Sequence, residues 1–486
     1  MSQLITAQLI PALSSHLALL ISVVLLMLHG TAVLLAFRAI GTARTPQGAV
    51  GWTVFLVTLP YLALPAYLIF GDIRYPAMLR DRKLSEAAAR LREMAAPDIG
   101  APPLSLHAAQ QLAGFEAVAN HPAHGGNGVE LLIENDVVFD SLFAAIRAAQ
   151  NYVLIEIYIL RDDGLGRELQ DLLLQKRQEG VRVRVLYDPV GSYGLSHGYL
   201  NRMREGGVEI TNFHARHPQR RFSLTRVNFR NHRKIAVIDG TVAFTGGYNI
   251  GDEYVGRDPH LGAWRDTMIR LQGPVVDQLQ LHFAEDWHWA TGEVPDLDWR
   301  PEPGGLVPAL TLASGPSDPQ ETGALFFTHA ITAARQRLWI ASPYFTPDTG
   351  LMQALRLAAL RGVDVRIIMA DKRDHWLVWL AAFAFIEAMR GSGVKIYRYT
   401  QGFMHQKVVL VDNDIAVIGS HNLDSRSCRL NFEASVVLAD PGFAAQVETM
   451  LKHDFSRAVL YDRSLSQAPW ALRIAAPVAR LFAPVL

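Results

Sequence analysis

Hydrophobic positions along this chain come first as blocks and only later as periodic patterns. Residues 16–37, HLALLISVVLLMLHGTAVLLAF, carry no charge and only isolated polar breaks. At about 1.5 Å per residue, a helix over this stretch is about 33 Å long, enough to cross a bilayer core. A polar loop, RAIGTARTPQG, follows at 38–48, and a second uncharged block, AVGWTVFLVTLPYLALPAYLIF, fills 49–70. Pro60 and Pro65 would break a soluble helix, but membrane helices tolerate proline. Trp52 and Tyr67 lie near the ends of the second block, where aromatic rings favour the membrane–water interface. The start lacks the basic residues of a cleaved leader, and a second block follows at once. The pattern therefore predicts a transmembrane hairpin over residues 1–74. Arg74, Arg80, Arg82 and Lys83 follow the second span, against Arg38 and Arg44 in the loop. This bias expects the main body on the cytoplasmic side.

Residues 75–103 read as a linker: LSEAAARLREMAA is helix-forming and PDIGAPP ends it. Beyond it, alternating helical and strand periods occur twice in the same order. AIRAAQNYVLIEIYIL (145–160) matches AITAARQRLWIASPYF (330–345), and QEGVRVRVLYD (178–188) matches LRGVDVRIIMA (360–370). GGVEITNF (206–213) matches SGVKIYRY (392–399). Helices alternating with strands imply an α/β fold built from βα units, with a mostly parallel sheet. Two tandem halves are expected, 104–300 and 301–486, joined through the Pro- and Gly-rich PDLDWRPEPGGLVP.

Composition adds three constraints. At 486 residues the chain is long enough for two or three domains. Its 46 basic and 46 acidic residues cancel, unlike the basic excess of a nucleic-acid binder. A single cysteine, Cys428, excludes an internal disulfide and reads as a small buried apolar residue. Nothing in the sequence fixes an oligomeric state.

The repeat also carries the chemistry. NHRKIAVIDGTVAFTGGYN (231–249) and MHQKVVLVDNDIAVIGSHN (404–422) share His-x-Lys-x4-Asp, a turn, an apolar strand, a glycine and an Asn. Residues two apart on a strand share a face, so His232 pairs with Lys234 and His405 with Lys407. Asp239 and Asp412 begin turns, and the returning strands bring Asn249 and Asn422 back towards each His and Lys. Two lysines and two amides around a small centre suit a tetrahedral anion, best a phosphodiester. Two histidines suit a double displacement, one attacking phosphorus and the other moving protons. Asp266 and Glu433 stand at matching places after the two motifs and are expected to orient the histidines. A lysine beside each histidine disfavours a bound dication, so neither metal nor cofactor is expected.

By these duplicated motifs the chain resembles the phospholipase D superfamily, and over nearly its full length it resembles bacterial cardiolipin synthases. NFRNHRK, WRDTMIRLQGP and GSHNLDSRSCRLNFE carry the wider likeness. The resemblance implies two phospholipase D-like α/β/α halves sharing one pseudo-twofold site. His232, Lys234, Asp239, His405, Lys407 and Asp412 are the implied catalytic set, with the first-motif histidine as nucleophile. The implied reaction joins two phosphatidylglycerol molecules, releasing glycerol and leaving cardiolipin, in the bacterial inner membrane. Hydrolysis, or transfer with another phospholipid such as phosphatidylethanolamine, uses the same residues and stays open. Gly247 stands where many members have Ser, a change expected to touch a hydrogen bond at the phosphate. Arg216, Arg220, Arg221, Arg226, Arg230 and Arg233 form a basic stretch suited to an anionic lipid. The aromatic stretch 374–390 fits either the interface or the core, and the apolar 470–486 fits a surface-lying amphipathic helix.

Overall fold

The computed structural model describes residues 2–43, 45–71, 76–94, 102–216, 228–299 and 302–485. The chain divides into an N-terminal unit, residues 1–80, and a larger unit beginning at Asp81. In the N-terminal unit, α1 (Ser2–Thr42) contains one stretch, His16–Thr42, long and apolar enough to cross a membrane. The second expected span is broken into α2 (Pro46–Thr58) and α3 (Pro60–Phe70). The break falls at Leu59, whose φ of −134° and ψ of 58° lie outside the helical range. Its cause is Pro60: the ring disfavours helical backbone at the residue before it. The three helices meet through small side chains, Ala32, Ala36, Ala39 and Ala63, packed with Leu56, Leu64 and Tyr67. Small residues let apolar helices approach closely where lipid offers no hydrophobic drive.

A helix α4 (Pro76–Met94) occupies most of the expected linker. The first half of the body runs α5 (Leu106–Ala119), β1 (His124–Leu132), α6 (Asn135–Ala148), β2 (Tyr152–Ile157), α7 (Gly164–Gln178), β3 (Arg182–Tyr187), α8 (His197–Glu205) and β4 (Glu209–Asn212). It continues with β5 (Ile235–Ile238), β6 (Val242–Gly246), β7 (Trp264–Arg265), β8 (Met268–Gln272) and α9 (Val275–Thr291). The second half repeats this order as β9 (Val307–Ser314), α10 (Thr322–Ala333), β10 (Arg337–Ala341), β11 (Phe345–Thr346), α11 (Thr349–Leu360), β12 (Asp364–Ala370), α12 (Trp376–Met389) and β13 (Lys395–Tyr399). Then come β14 (Phe403–Met404), β15 (Val408–Val411), β16 (Ile415–Gly419), β17 (Leu423–Asp424), α13 (Ser425–Arg429), β18 (Glu433–Ala439), α14 (Pro441–Ser456), β19 (Ala458–Leu460) and α15 (Trp470–Arg480).

Fifteen strands form one sheet in the order β19-β13-β12-β10-β15-β16-β18-β9-β1-β8-β6-β5-β2-β3-β4. The order is mirrored about the β9–β1 seam, where the two halves pair antiparallel. The sheet is mixed rather than mostly parallel. Only β2-β3-β4 and β10-β12-β13 run parallel within it, because these alone are joined by helical crossovers. The motif strands are hairpins, β5–β6 and β15–β16, and pair antiparallel with their neighbours. Both β5 and β15 are buried along their whole length, consistent with their unbroken apolar sequences IAVI and VVLV. There are two apolar cores, one in each half, and Leu112, Phe115 and Ala119 of α5 pack in the second. Cys428 is buried in that second core.

Candidate active site

The motif histidines lie just before β5 and β15, in short segments that cross to the opposite half. Residue Asn231 bridges Phe432 in parallel; Phe432 N donates to Arg230 O at 2.9 Å and His232 N to Phe432 O at 2.9 Å. In the mirrored place β14 pairs parallel with β7, and His405 N donates to Arg265 O at 2.8 Å. These two small ladders place each histidine beside the carboxylate of the other half. His232 Nδ1 lies 2.8 Å from Glu433 Oε2, and His405 Nδ1 lies 2.7 Å from Asp266 Oδ2. The orienting carboxylates are thus exchanged between halves.

Charge fixes the hydrogen-bond direction. Burial holds His232 down to about 3 and His405 down to about 4, the Lys407 charge adding to the latter. Burial pushes Glu433 up, but His232 and its hydrogen bond outweigh this and hold the carboxyl at about 2. Asp266 is likewise held below its usual value against burial, by Lys407 and His405. At neutral pH the carboxylates are ionised and the imidazoles neutral. Each Nδ1–H donates to its carboxylate, leaving Nε2 with its lone pair.

Both lysines are buried. Lys234 Nζ donates to His232 O at 2.7 Å. Lys407 Nζ donates to the His405 carbonyl and lies 2.7 Å from His405 Nδ1. Burial lowers Lys407 to about 8 and Lys234 well below its usual value. The two half-sites share one field, since the Lys407 charge acts on His232 and the Lys234 charge on His405. Asn249 accepts from Ile159 N at 3.1 Å and donates to Tyr254 Oη at 3.0 Å. Asn422 is buried and hydrogen-bonds Asp424, while its Oδ1 has no partner among the described residues.

Asp239 and Asp412 are not brought to this cleft. The Asp239 carboxylate accepts from the backbone N–H of Gln150, Asn151 and Tyr152, each at 2.7 Å. Asp412 accepts from Arg335, Gln336 and Arg337 N–H at 2.7 to 3.1 Å. Both residues have a left-handed backbone, φ 52° and 51°, at the far ends of β5 and β15. Their place is the turn that ties the motif hairpin to the start of β2 or β10, a correction to their grouping with the reacting residues.

The motif spacing missed several supporting side chains. Glu433 also accepts from Ser420 Oγ at 2.5 Å, Ser427 Oγ at 2.6 Å and Asn431 Nδ2 at 3.1 Å. The Ser420 hydroxyl thus donates to the carboxylate. Gly247 is its counterpart, and a Cβ there would lie 1.9 Å from Asp266 Oδ1, so the glycine makes room for the shorter acid. The Tyr158 ring meets His232 edge-on at 4.7 Å, and Trp264 flanks His405 at 5.0 Å. Asp286 binds Arg233 at 2.7 Å; Asp454 binds Gln406 at 2.7 Å and Arg265 at 2.8 Å. Asp286 and Asp454 thereby brace the residue following each histidine, and in the sequence each begins an Asp-aromatic dipeptide, Asp286-Trp287 and Asp454-Phe455. Within the basic stretch, Arg233 is an interior ion pair and Arg230 reaches the site, while residues 217–227, with Arg220, Arg221 and Arg226, lie outside the described residues.

Comparison with known proteins gives the same picture. Residues 142–287 and 327–455 match the family described as "Cardiolipin synthase, PLD-like domain". "Cardiolipin synthase A" of Pseudomonas entomophila (strain L48) is 46% identical over 95% of this chain and 97% of its own length. "Cardiolipin synthase A" of Pseudomonas aeruginosa (strain LESB58) is 45% identical over 93% of each. Among solved structures, the phosphatidylserine synthase of Haemophilus influenzae Rd KW20 superposes with a TM-score of 0.60 at 14% identity. That match covers 78% of this chain and all of the other, and shows the shared fold. With the family matched in both halves and relatives aligned almost end to end, the chain belongs to the cardiolipin synthase family of proteins with phospholipase D-like domains.

Proposed function

We propose that the cleft transfers a phosphatidyl group from one phosphatidylglycerol to a second, giving cardiolipin and glycerol. The observation that carries this reading is the pair of His–carboxylate dyads exchanged between the halves, with Lys234 and Lys407 buried among them. The lysines hold the donor phosphate, whose charge favours the protonated form of His405. His232 Nε2 attacks phosphorus, the bond to the glycerol oxygen breaks, and His405 gives that oxygen its proton. A covalent phosphohistidine remains. His405 then takes the proton of the acceptor hydroxyl as its oxygen attacks phosphorus, and the N–P bond breaks to release His232. Glu433 and Asp266 hold the two rings and stabilise whichever becomes positive. Every step is a proton or phosphoryl movement between these residues and the lipids.

Membrane association follows from the apolar N-terminal helix, and the finer arrangement is part of the same proposal. Residues 1–74 anchor the chain by both apolar segments, 75–103 link them to the body, and the halves 104–300 and 301–486 lie on the cytoplasmic side of a bacterial inner membrane. In support of a further surface contact, Trp470, Ile474, Val478 and Leu481 are exposed along one side of α15, while Ala476 and Ala479 are buried. Arg473 and Arg480 flank that apolar side, the pattern of an interfacial helix.

The test uses the full chain in vesicles of phosphatidylglycerol with EDTA, and mass spectrometry of the lipids. Cardiolipin with released glycerol is expected. Phosphatidic acid alone would make water the acceptor and overturn the transfer.

A further inference from the structure

The two histidines are braced from behind in nearly the same way, and the difference between the braces falls on the linker helix. In the second half Asp454 receives two arms. Gln406, the residue after His405, donates to it at 2.7 Å. Arg265 grips both oxygens, Nε to Oδ1 and Nη2 to Oδ2, each at 2.8 Å. Its backbone pairs with Met404, just before His405, which brings the guanidinium to this place. In the first half Asp286 stands for Asp454 and Arg233 for Gln406. Arg233 Nη1 donates to Asp286 Oδ2 at 2.7 Å, and its Nε donates to the carbonyl of Glu433 at 3.2 Å. The place of Arg265 falls to Phe432, whose backbone pairs with Asn231 just before His232. Phenylalanine has no charge to give.

A guanidinium is nevertheless there. Arg82 of α4 pairs with Asp286 Oδ1, the oxygen not held by Arg233, and its Cζ lies 5.0 Å from the centre of the Phe432 ring. Its Nε lies 3.4 Å from Glu86 and its Nη2 3.7 Å from Glu285. By sequence Arg82 reads as a charge flanking the second apolar block; in the fold it is an interior ion pair, 1% exposed. Burial works to lower its pKa, but Asp286 first, then Glu86 and Glu285, raise it above the ordinary arginine value. The same face of α4 carries Ser85, whose Oγ lies 2.9 Å from His288 Nδ1, and the buried Ala89. Lys83, the next residue, is exposed. From Asp81 onward the chain belongs to the larger unit, so this face of α4 is seated on α9 rather than serving as a free tether. An unpaired interior charge is strongly unfavourable, so a mere spacer has no reason to bury an arginine.

We propose that Arg82 is a positioning residue for His232. The linker helix supplies the guanidinium that the first half lacks, and it fixes Asp286 so that Arg233 holds Glu433 in its dyad with His232. Arg82 touches no reacting atom and acts through Asp286 and Arg233. This rests on the reading of His232 as the attacking group, and it makes α4 a working part of the first half-site.

The test measures total phosphatidyl turnover, cardiolipin plus phosphatidic acid, by the full chain in phosphatidylglycerol vesicles. Arg82→Gln is expected to lower kcat about tenfold, the loss of one charged pairing, with KM within about twofold because the lysines still hold the phosphate. Phosphoryl labelling of His232 should slow by the same factor. Arg82→Lys, which keeps the charge, should recover part of the loss. Asp286→Asn removes the group through which Arg82 acts, so adding Arg82→Gln to it should cost little more. Lys83→Gln, the same charge lost one residue away, should leave turnover unchanged. An unchanged kcat in Arg82→Gln, or a loss that multiplies with that of Asp286→Asn, overturns the positioning role. Equal losses in Arg82→Gln and Lys83→Gln would make Arg82 a flanking charge and overturn it as well. Should Arg82→Gln fail to fold, Arg82→Lys decides in its place: a smaller fall in kcat at unchanged KM is expected, and an unaltered kcat overturns the role. No label on His232 in the unmodified chain would overturn the proposed function itself and this inference with it, an outcome distinct from equal labelling of the unmodified chain and Arg82→Gln.

Discussion

Single atoms decide how the two half-sites differ. Ser420 supports the longer Glu433, whereas Gly247 leaves space for the shorter Asp266. A serine at 247 places its Cβ against the Asp266 carboxylate, an overpacking expected to cost about 1–3 kcal/mol at the dyad. Gly247→Ser should therefore lower kcat about tenfold or more, and Gly247→Ser with Asp266→Glu should recover much of the loss. Additive losses in kcat would show that the two positions are not coupled. The same scale sets the pH profile. His232 must begin neutral to attack, and burial has already lowered it to about 3, so the acid limb of kcat/KM should lie well below that of an exposed histidine. Lys407 must be charged to hold phosphate, and it is lowered to about 8. Activity should therefore fall as pH rises through about 8. A kcat/KM profile flat from pH 7 to 10 would contradict the lysine's role.

Among the elements, the motif hairpin is where sequence and structure agree best and also where the motif misleads. The apolar runs and Asp turns made β5–β6 and β15–β16 legible, because an apolar run and its turn chemistry are local. The work done by Asp239 was not, because its partners, Gln150 to Tyr152, are 87 to 89 residues away in sequence. Three charged acceptor bonds in one turn stabilise the hairpin that carries the histidine. Asp239→Ala and Asp412→Ala should each destabilise the body by about 1–3 kcal/mol, through orphaned N–H groups and a strained left-handed backbone. Thermal unfolding should show that loss, while kcat per folded molecule stays within about threefold. His232→Ala should do the reverse, leaving stability nearly intact and abolishing turnover. The break at Leu59 has the opposite lesson: Pro60 was visible, but whether a membrane helix bends or breaks at proline depends on its neighbours.

Across the whole molecule, the duplication explains why the sentence His-x-Lys-x4-Asp occurs twice, but the exchange of carboxylates could not be read from spacing. Asp266 follows the first motif and Glu433 the second, so order along the chain suggests service within each half. The parallel ladders at Asn231–Phe432 and Phe403–Trp264 reverse that assignment, and such pairings leave no periodic signal in sequence. The consequence is that neither half owns a complete dyad. Removing the charge of Glu433 leaves the His232 Nδ1–H without its ionised acceptor, weakening this histidine as a nucleophile. With labelled phosphatidylglycerol, Glu433→Gln should sharply reduce phosphoryl label on His232, although every residue of the first motif is intact. Asp266→Asn should instead act on His405 and change how fast the label forms and leaves. If labelled peptides showed that Asp266→Asn, and not Glu433→Gln, prevents modification of His232, each half would be working alone and the exchanged dyads would not be the functional pairing.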